Sequence, residues 1–403
     1  MDVLAERILL DLRNTFKKDP LIRASEELPN NVDLRQLAYK PNRNLPSVIS
    51  SASCPKHCQK NDEFDVLPVH ESVSNKCPVI HVDHKIALED WCVKHVYVYA
   101  YSKFFAWRKK PYKIDPECFL TWTSAILLIN PEVETVWNAR KEFVCQNLLL
   151  PENELKFSEL VLSRKPKSSP VYAHRKWVLL EWFRGKISPC TLQQVVDHEF
   201  RLCSRVANLY PNNYYAWCHR SWLIKEMCYN CHKIVSEELS CMEQWVSTHV
   251  SDHCGFHYRQ FLLSCYSGEG EVVVNCPLHA TGDNICSPKQ TALFAPLLRL
   301  EMSLLCNLQA AYLAHETLWY HRRFLIHEFR RLELTRPKDG EDTGSCKRHK
   351  WDKGQEWDAG MEEIFLAESF KRAHGSAWER TLIERHVKWL KNVVCWTVSI
   401  TPS

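Results

Sequence analysis

Tyr214-Tyr215-Ala216-Trp217-Cys218-His219-Arg220-Ser221-Trp222 is the clearest copy of a pattern that returns five times along this 403-residue chain. An aromatic residue is followed three positions later by arginine. The copies are Trp137 to Arg140, Tyr172 to Arg175, Trp217 to Arg220, Phe256 to Arg259 and Trp319 to Arg322. Trp177, Trp222, Phe261 and Phe324 each follow their arginine by two positions, while Phe143 is displaced by one. The first four copies recur about 35–45 residues apart, the length of a two-helix unit, and the last interval is longer.

A turn signal precedes the copies, as in Asn130-Pro131, Ser169-Pro170 and Tyr210-Pro211-Asn212-Asn213, and an apolar-periodic stretch lies upstream of it. Such stretches include 118–129, 195–209 and 297–313. Each unit therefore reads as helix, turn, helix. On the second helix the aromatic ring can wedge between hairpins, and the guanidinium three residues on can bridge to a carboxylate or a carbonyl. A structural role follows for Trp137, Arg140, Tyr172, Arg175, Trp217, Arg220, Arg259, Trp319 and Arg322. His174, His219 and His321 recur in register with the arginines and read as packing residues rather than general bases.

Composition agrees with packed helices. Apolar residues make up 45% of the chain and charged residues 25%, the balance of a folded soluble protein. Ten glycines and no glycine-rich fingerprint argue against a phosphate-cradling loop. A net charge of +4 gives no nucleic-acid footprint, and no apolar run is long enough to span a bilayer. The 19 cysteines are scattered through helical patterns and the start reads as an amphipathic helix, so the expectation is a reduced, cytoplasmic protein.

Three segments are expected. Residues 1–114 hold N-terminal helices, one of them over 83–110, with an irregular insertion at about 42–80. Residues 115–330 hold the five repeats, with a loop insertion at about 267–290. Residues 331–403 hold a charged loop and capping helices, with Trp378-Glu379-Arg380 as a degenerate sixth copy. Cys54, His57, Cys58 and Cys77 cluster, and Cys228 and Cys231 have a zinc-knuckle gap, but neither group has a matching half, so no metal is expected in this chain.

The turn, the aromatic, His-Arg and the following tryptophan, returning as paired helices over about 115–330, resemble the repeat of protein prenyltransferase alpha subunits. That resemblance implies an all-α, tetratricopeptide-like solenoid, a right-handed superhelix of hairpins that wraps a beta subunit. The implied reaction passes a prenyl group from its diphosphate to a C-terminal cysteine of an acceptor protein. The resemblance assigns zinc and most of the lipid pocket to the beta subunit, so this chain would be inactive alone.

In that family a lysine five residues before the aromatic of the second well-formed copy serves the leaving diphosphate. Here it is Lys167, after Pro166, and an ammonium at a turn suits that task. The competing reading is a solvated lysine in a basic linker beside Arg164 and Lys165. Tyr214 and Tyr215 fall where the family places a tyrosine and a histidine near diphosphate and peptide. Ser169 and Pro170 depart from the family's tyrosine and glutamine, which points to a Rab-type beta partner and a geranylgeranyl donor. The alternative is a noncatalytic helical-repeat scaffold for protein–protein interaction.

Overall fold

A computed structural model describes residues 2–18, 63–68, 78–82, 85–110, 114–184, 189–228, 231–265, 291–334 and 357–396. The expected insertion at 267–290 lies outside them, as do Cys54, His57, Cys58 and Cys77. The described chain is an all-α repeat fold carrying one small sheet, and it divides into two compact units. One comprises residues 1–188 with 198–219, the other 189–197 with 220–403.

In the first unit, α1 (Asp2–Lys18) packs on α2 (Asp90–Lys109) and α3 (Pro116–Ile129). The sheet corrects the sequence reading. β1 (Glu63–Leu67) and β2 (Val79–Val82) lie largely in the stretch expected to be irregular, and β3 (Lys85–Glu89) replaces the start of the helix expected from residue 83. β1 runs parallel to β3 and β2 antiparallel to it, with β3 central. Phe64, Ile86 and Leu88 turn into the same core as Val96, Phe104 and Phe119, a tertiary gain that the polar flanking sequence hides. The Phe64 amide donates to Ser163 Oγ at 3.0 Å, tying β1 to a repeat helix.

Hairpins follow in chain order. They are α3 with α4 (Glu134–Cys145), α5 (Pro151–Arg164) with α6 (Ser169–Phe183), and α7 (Pro189–Leu209) with α8 (Tyr214–Trp222). Then come α9 (His232–Thr248) with α10 (His253–Ser264), α11 (Thr291–Ala311) with α12 (Glu316–Leu334), and α13 (Ala359–Arg372) with α14 (Ala377–Trp389). Prolines at the first helical positions of α3 and α5 start those helices where a backbone N–H would have no partner anyway.

A buried polar rung joins each hairpin to the one before it. In the first unit, Glu154 accepts from Arg140 Nε at 2.7 Å and from Arg140 Nη2 at 2.8 Å, and lies 2.8 Å from His174 Nε2. Glu199 takes both arms of Arg175 and lies 2.9 Å from His219 Nε2. In the second unit, Glu238 joins Arg220 to the Tyr258 hydroxyl, Glu301 joins Arg259 to His321, and Glu362 joins Arg322 to His386. In every rung the carboxylate sits on the first helix of a hairpin, its His or Tyr on the second, and the arginine on the hairpin before.

Burial alone would raise the Glu154 carboxyl, but Arg140 and His174 hold it down at about 2. Glu199 and Glu301 are held at about 2 in the same way. Burial lowers His174, His219 and His386 below the usual histidine value against the pull of their carboxylates. Nδ1 of His174 and of His386 is buried with no hydrogen-bond partner, so each neutral ring carries its proton on Nε2, facing the glutamate.

The ladder ends where its partners end. In the first hairpin the carboxylate position is Phe119, stacked on Phe143 with centroids 3.6 Å apart, and the histidine position is the buried Ala139. At the far end, His386 is followed by Val387 where an arginine would stand. A sixth hairpin is thus present, but not in the register expected from Trp378-Glu379-Arg380: His386 marks it. Trp378 instead donates from Nε1 to the Ala314 carbonyl at 2.9 Å.

Candidate functional site

Three of the repeat aromatics clasp the turns behind them. Trp137 Nε1 donates to the Pro131 carbonyl at 2.8 Å, the Tyr172 hydroxyl to Pro166 at 3.1 Å, and Trp319 Nε1 to Leu313 at 3.0 Å, each reaching six residues back. A ring that is apolar in body and polar at its tip fits this place, buried against a hairpin yet touching a turn.

Lys167 follows one of these clasped carbonyls. Pro166 O accepts from Tyr172 and also from Asn213 Nδ2 at 2.7 Å, so two turns, 165–168 and 210–213, share one acceptor. Asn213 in turn accepts the Ala216 amide at 3.3 Å, fixing its own place at the start of α8. The side chain of Lys167 is exposed, and its Nζ sits 3.9 Å above the centroid of the Tyr210 ring, itself 47% exposed. Within the described residues Lys167 has no carboxylate partner.

Tyr215 is half-buried and stacks on Tyr172 with centroids 6.3 Å apart. Tyr214 is 61% exposed and meets Tyr215 edge-on at 5.5 Å. Arg164 is not a solvated linker residue: its Nη1 donates to the Leu128 and Ile129 carbonyls at 3.3 Å and its guanidinium stands over Phe64. Lys165 is exposed. Of the three neighbouring cations, one holds helix ends together and two face solvent.

The arrangement presents a clasped turn with a fixed ammonium, an aromatic seat beneath it, and exposed phenol at Tyr214. Such a group can receive an anion without moving the backbone that carries it. Lys167, Tyr214 and Tyr215 are marked by their places in the repeat, whereas Tyr210 and Asn213 stand in the sequence only as turn residues. Their pairing with the Pro166 turn depends on how two consecutive hairpins stack. The His and Arg positions of the pattern lie in the buried rungs, away from solvent. Among the described residues no group of three or more His, Cys, Asp or Glu is arranged to hold a metal, and no helix is long and apolar enough to cross a membrane.

The protein prenyltransferase alpha subunit repeat matches residues 196–227 and 235–266, the hairpins that carry the Glu199 and Glu238 rungs. Protein prenyltransferase alpha subunit repeat-containing protein 1 of Danio rerio is 32% identical over 360 residues, covering 83% of this chain and 75% of the relative. Its Homo sapiens counterpart is 32% identical over 292 residues, covering 66% of this chain and 73% of the relative. The geranylgeranyl transferase type-2 subunit alpha of Homo sapiens is 27% identical over 220 residues, 52% of this chain and 34% of that protein.

Proposed function

The chain belongs to the family of protein prenyltransferase alpha subunit repeat proteins, and from that premise we propose that it is the alpha-type subunit of a heterodimeric protein prenyltransferase, inactive alone. Its partner is a beta subunit of the Rab type and its donor geranylgeranyl diphosphate. In the reaction a carbon–sulfur bond forms to the acceptor cysteine, the thiol proton is lost, and the carbon–oxygen bond to diphosphate breaks with its electron pair leaving on oxygen. A zinc ion carried by the beta subunit would keep the acceptor sulfur as thiolate.

This chain's part is electrostatic. The observation that carries the reading is Lys167, held by a doubly clasped turn with its ammonium exposed and no carboxylate among the described residues to neutralise it. Negative charge growing on a leaving phosphate oxygen is what such a group stabilises. Pro170 offers no side-chain donor, so the C-terminus of the acceptor is read elsewhere. The many scattered cysteines suit a reduced compartment, and we place the reaction in the cytoplasm.

The test is co-expression with a Rab-type beta subunit. We expect a one-to-one complex burying more than about 2,000 Å², transfer from geranylgeranyl diphosphate in preference to farnesyl diphosphate, and no transfer by the single chain. Turnover by the single chain, or no affinity for any such partner, overturns the proposal and leaves the helical-repeat scaffold.

A further inference from the structure

The first unit contains a cavity of about 240 Å³ that no clasped turn lines and that, of the rung residues, Arg140 alone reaches. It opens between α1, α3 and α5. Its walls are apolar, from Leu12 and Phe16 on α1, Leu120 on α3, Leu149 in the loop before α5, and Phe157 and Leu160 on α5. It exceeds the ~150 Å³ apolar cavity that takes up a benzene ring.

Charge at the cavity is sorted unevenly. Arg140 reaches it but is bound by Glu154. Arg13 Nη1 lies 3.6 Å from Glu117, and Arg13 Nε is buried with no hydrogen-bond partner. Of the hydroxyls, Thr121 donates to the Glu117 carbonyl at 2.7 Å, and Ser124 accepts from Arg140 at 3.2 Å. Lys156 is half-buried and has no carboxylate partner among the described residues. With each arginine facing its own glutamate, one positive charge is left over at the edge of an apolar pocket.

We propose that this cavity binds a single-chain amphiphile with a monoanionic head, a medium-chain fatty carboxylate. The alkyl chain would lie against the leucines and phenylalanines and the carboxylate against Lys156 at the pocket's edge. A single surplus charge matches a carboxylate better than a dianionic phosphate, and the pocket's size matches one short chain rather than a paired-chain lipid. The proposal is independent of prenyl transfer.

Titration calorimetry of the full chain with decanoate, below its micelle concentration, tests it. We expect one saturable site, decanoate tighter than decanol, and no binding of decyltrimethylammonium. Lys156→Glu, on a partly exposed helix face, should weaken decanoate about fivefold or more with the helical circular dichroism unchanged. Leu120→Trp, which fills the pocket, should abolish binding. Non-saturable uptake, equal affinity for decanol, or a decanoate isotherm unchanged in Lys156→Glu would overturn it.

Discussion

Arg175 and Lys167 belong to the same hairpin, yet one cation is locked and the other is offered. Arg175 is fully buried, with both arms on Glu199 and Nη1 donating 2.8 Å to Ser158 Oγ. Lys167 touches a tyrosine face and nothing charged among the described residues. The arginine's carboxylate costs desolvation that only a complete set of partners offsets, so every member of a rung is needed. The lysine costs nothing to leave in water. A repeat fold can therefore keep its rungs constant and vary chemistry at its turns.

Acid should strike the buried side of this comparison hardest, because it acts on several rungs at once. Unfolded histidines take up protons near 6.5 while burial holds His174, His219 and His386 lower, so stability begins to fall as pH drops through that value. Unfolded glutamates take up protons near their usual value of 4.5, whereas Glu154, Glu199 and Glu301 stay ionised in the fold down to about 2, so a second loss follows below about 4.5. Urea unfolding between pH 8 and 4 should show midpoints falling monotonically. A flat profile from pH 7 to 5 would mean that the folded histidines accept protons.

Within one rung, Arg175→Ala leaves Glu199 buried without its cation and should cost about 3–5 kcal/mol. Arg175→Met combined with Glu199→Leu should recover part of that, since no charge is then buried alone. If the double variant is no better than the single one, packing of the guanidinium rather than its charge carries the rung.

At the turn the expectation reverses. Lys167→Ala should leave the unfolding midpoint within about 0.5 kcal/mol of wild type. It should nonetheless slow single-turnover prenyl transfer by the assembled complex about a hundred- to a thousandfold, the ~2.7–4 kcal/mol typical of one lost transition-state contact. Lys167→Arg should recover part of the rate, as charge survives while geometry changes. Lys165→Ala is the matched control, since Lys165 is exposed beside it. Arg164→Ala is not, because Arg164 secures two helix-end carbonyls.

The rungs also explain what could be read from the chain beforehand. Glutamate and its His or Tyr lie 20 residues apart in four hairpins and 24 in the last, because a four-residue turn joins the two helices at a fixed distance from each glutamate, while His386 stands about one helical turn further along α14. Arginine and glutamate lie 14, 24, 18, 42 and 40 apart, because the connection between hairpins varies. A motif local to one helix therefore stood out five times, and its carboxylate partner did not. The sixth hairpin carries no such mark: Val387 stands where the other copies have arginine, and His386 alone gives its register. At the site, Lys167 was legible from its place before Tyr172. Tyr210 was not, since its contact with Lys167 spans two hairpins. The strands were hidden by their brevity and by polar flanks.

The smallest effect is also the most discriminating for the turn. If the Tyr210 ring seats the Lys167 ammonium, Tyr210→Leu removes the face while keeping an apolar side chain, and should weaken the contact by about 0.5–1 kcal/mol, the range of an exposed cation–π pair. Transfer by the complex should then slow about two- to fivefold, and Tyr210→Phe, which keeps the π face and loses only the hydroxyl, should match wild type. The two changes should not add to Lys167→Ala, because with the ammonium absent the ring has nothing to hold. Single-turnover rates for Tyr210→Leu in both backgrounds measure that coupling. Equal losses in the presence and absence of the lysine would assign Tyr210 to packing of its own turn.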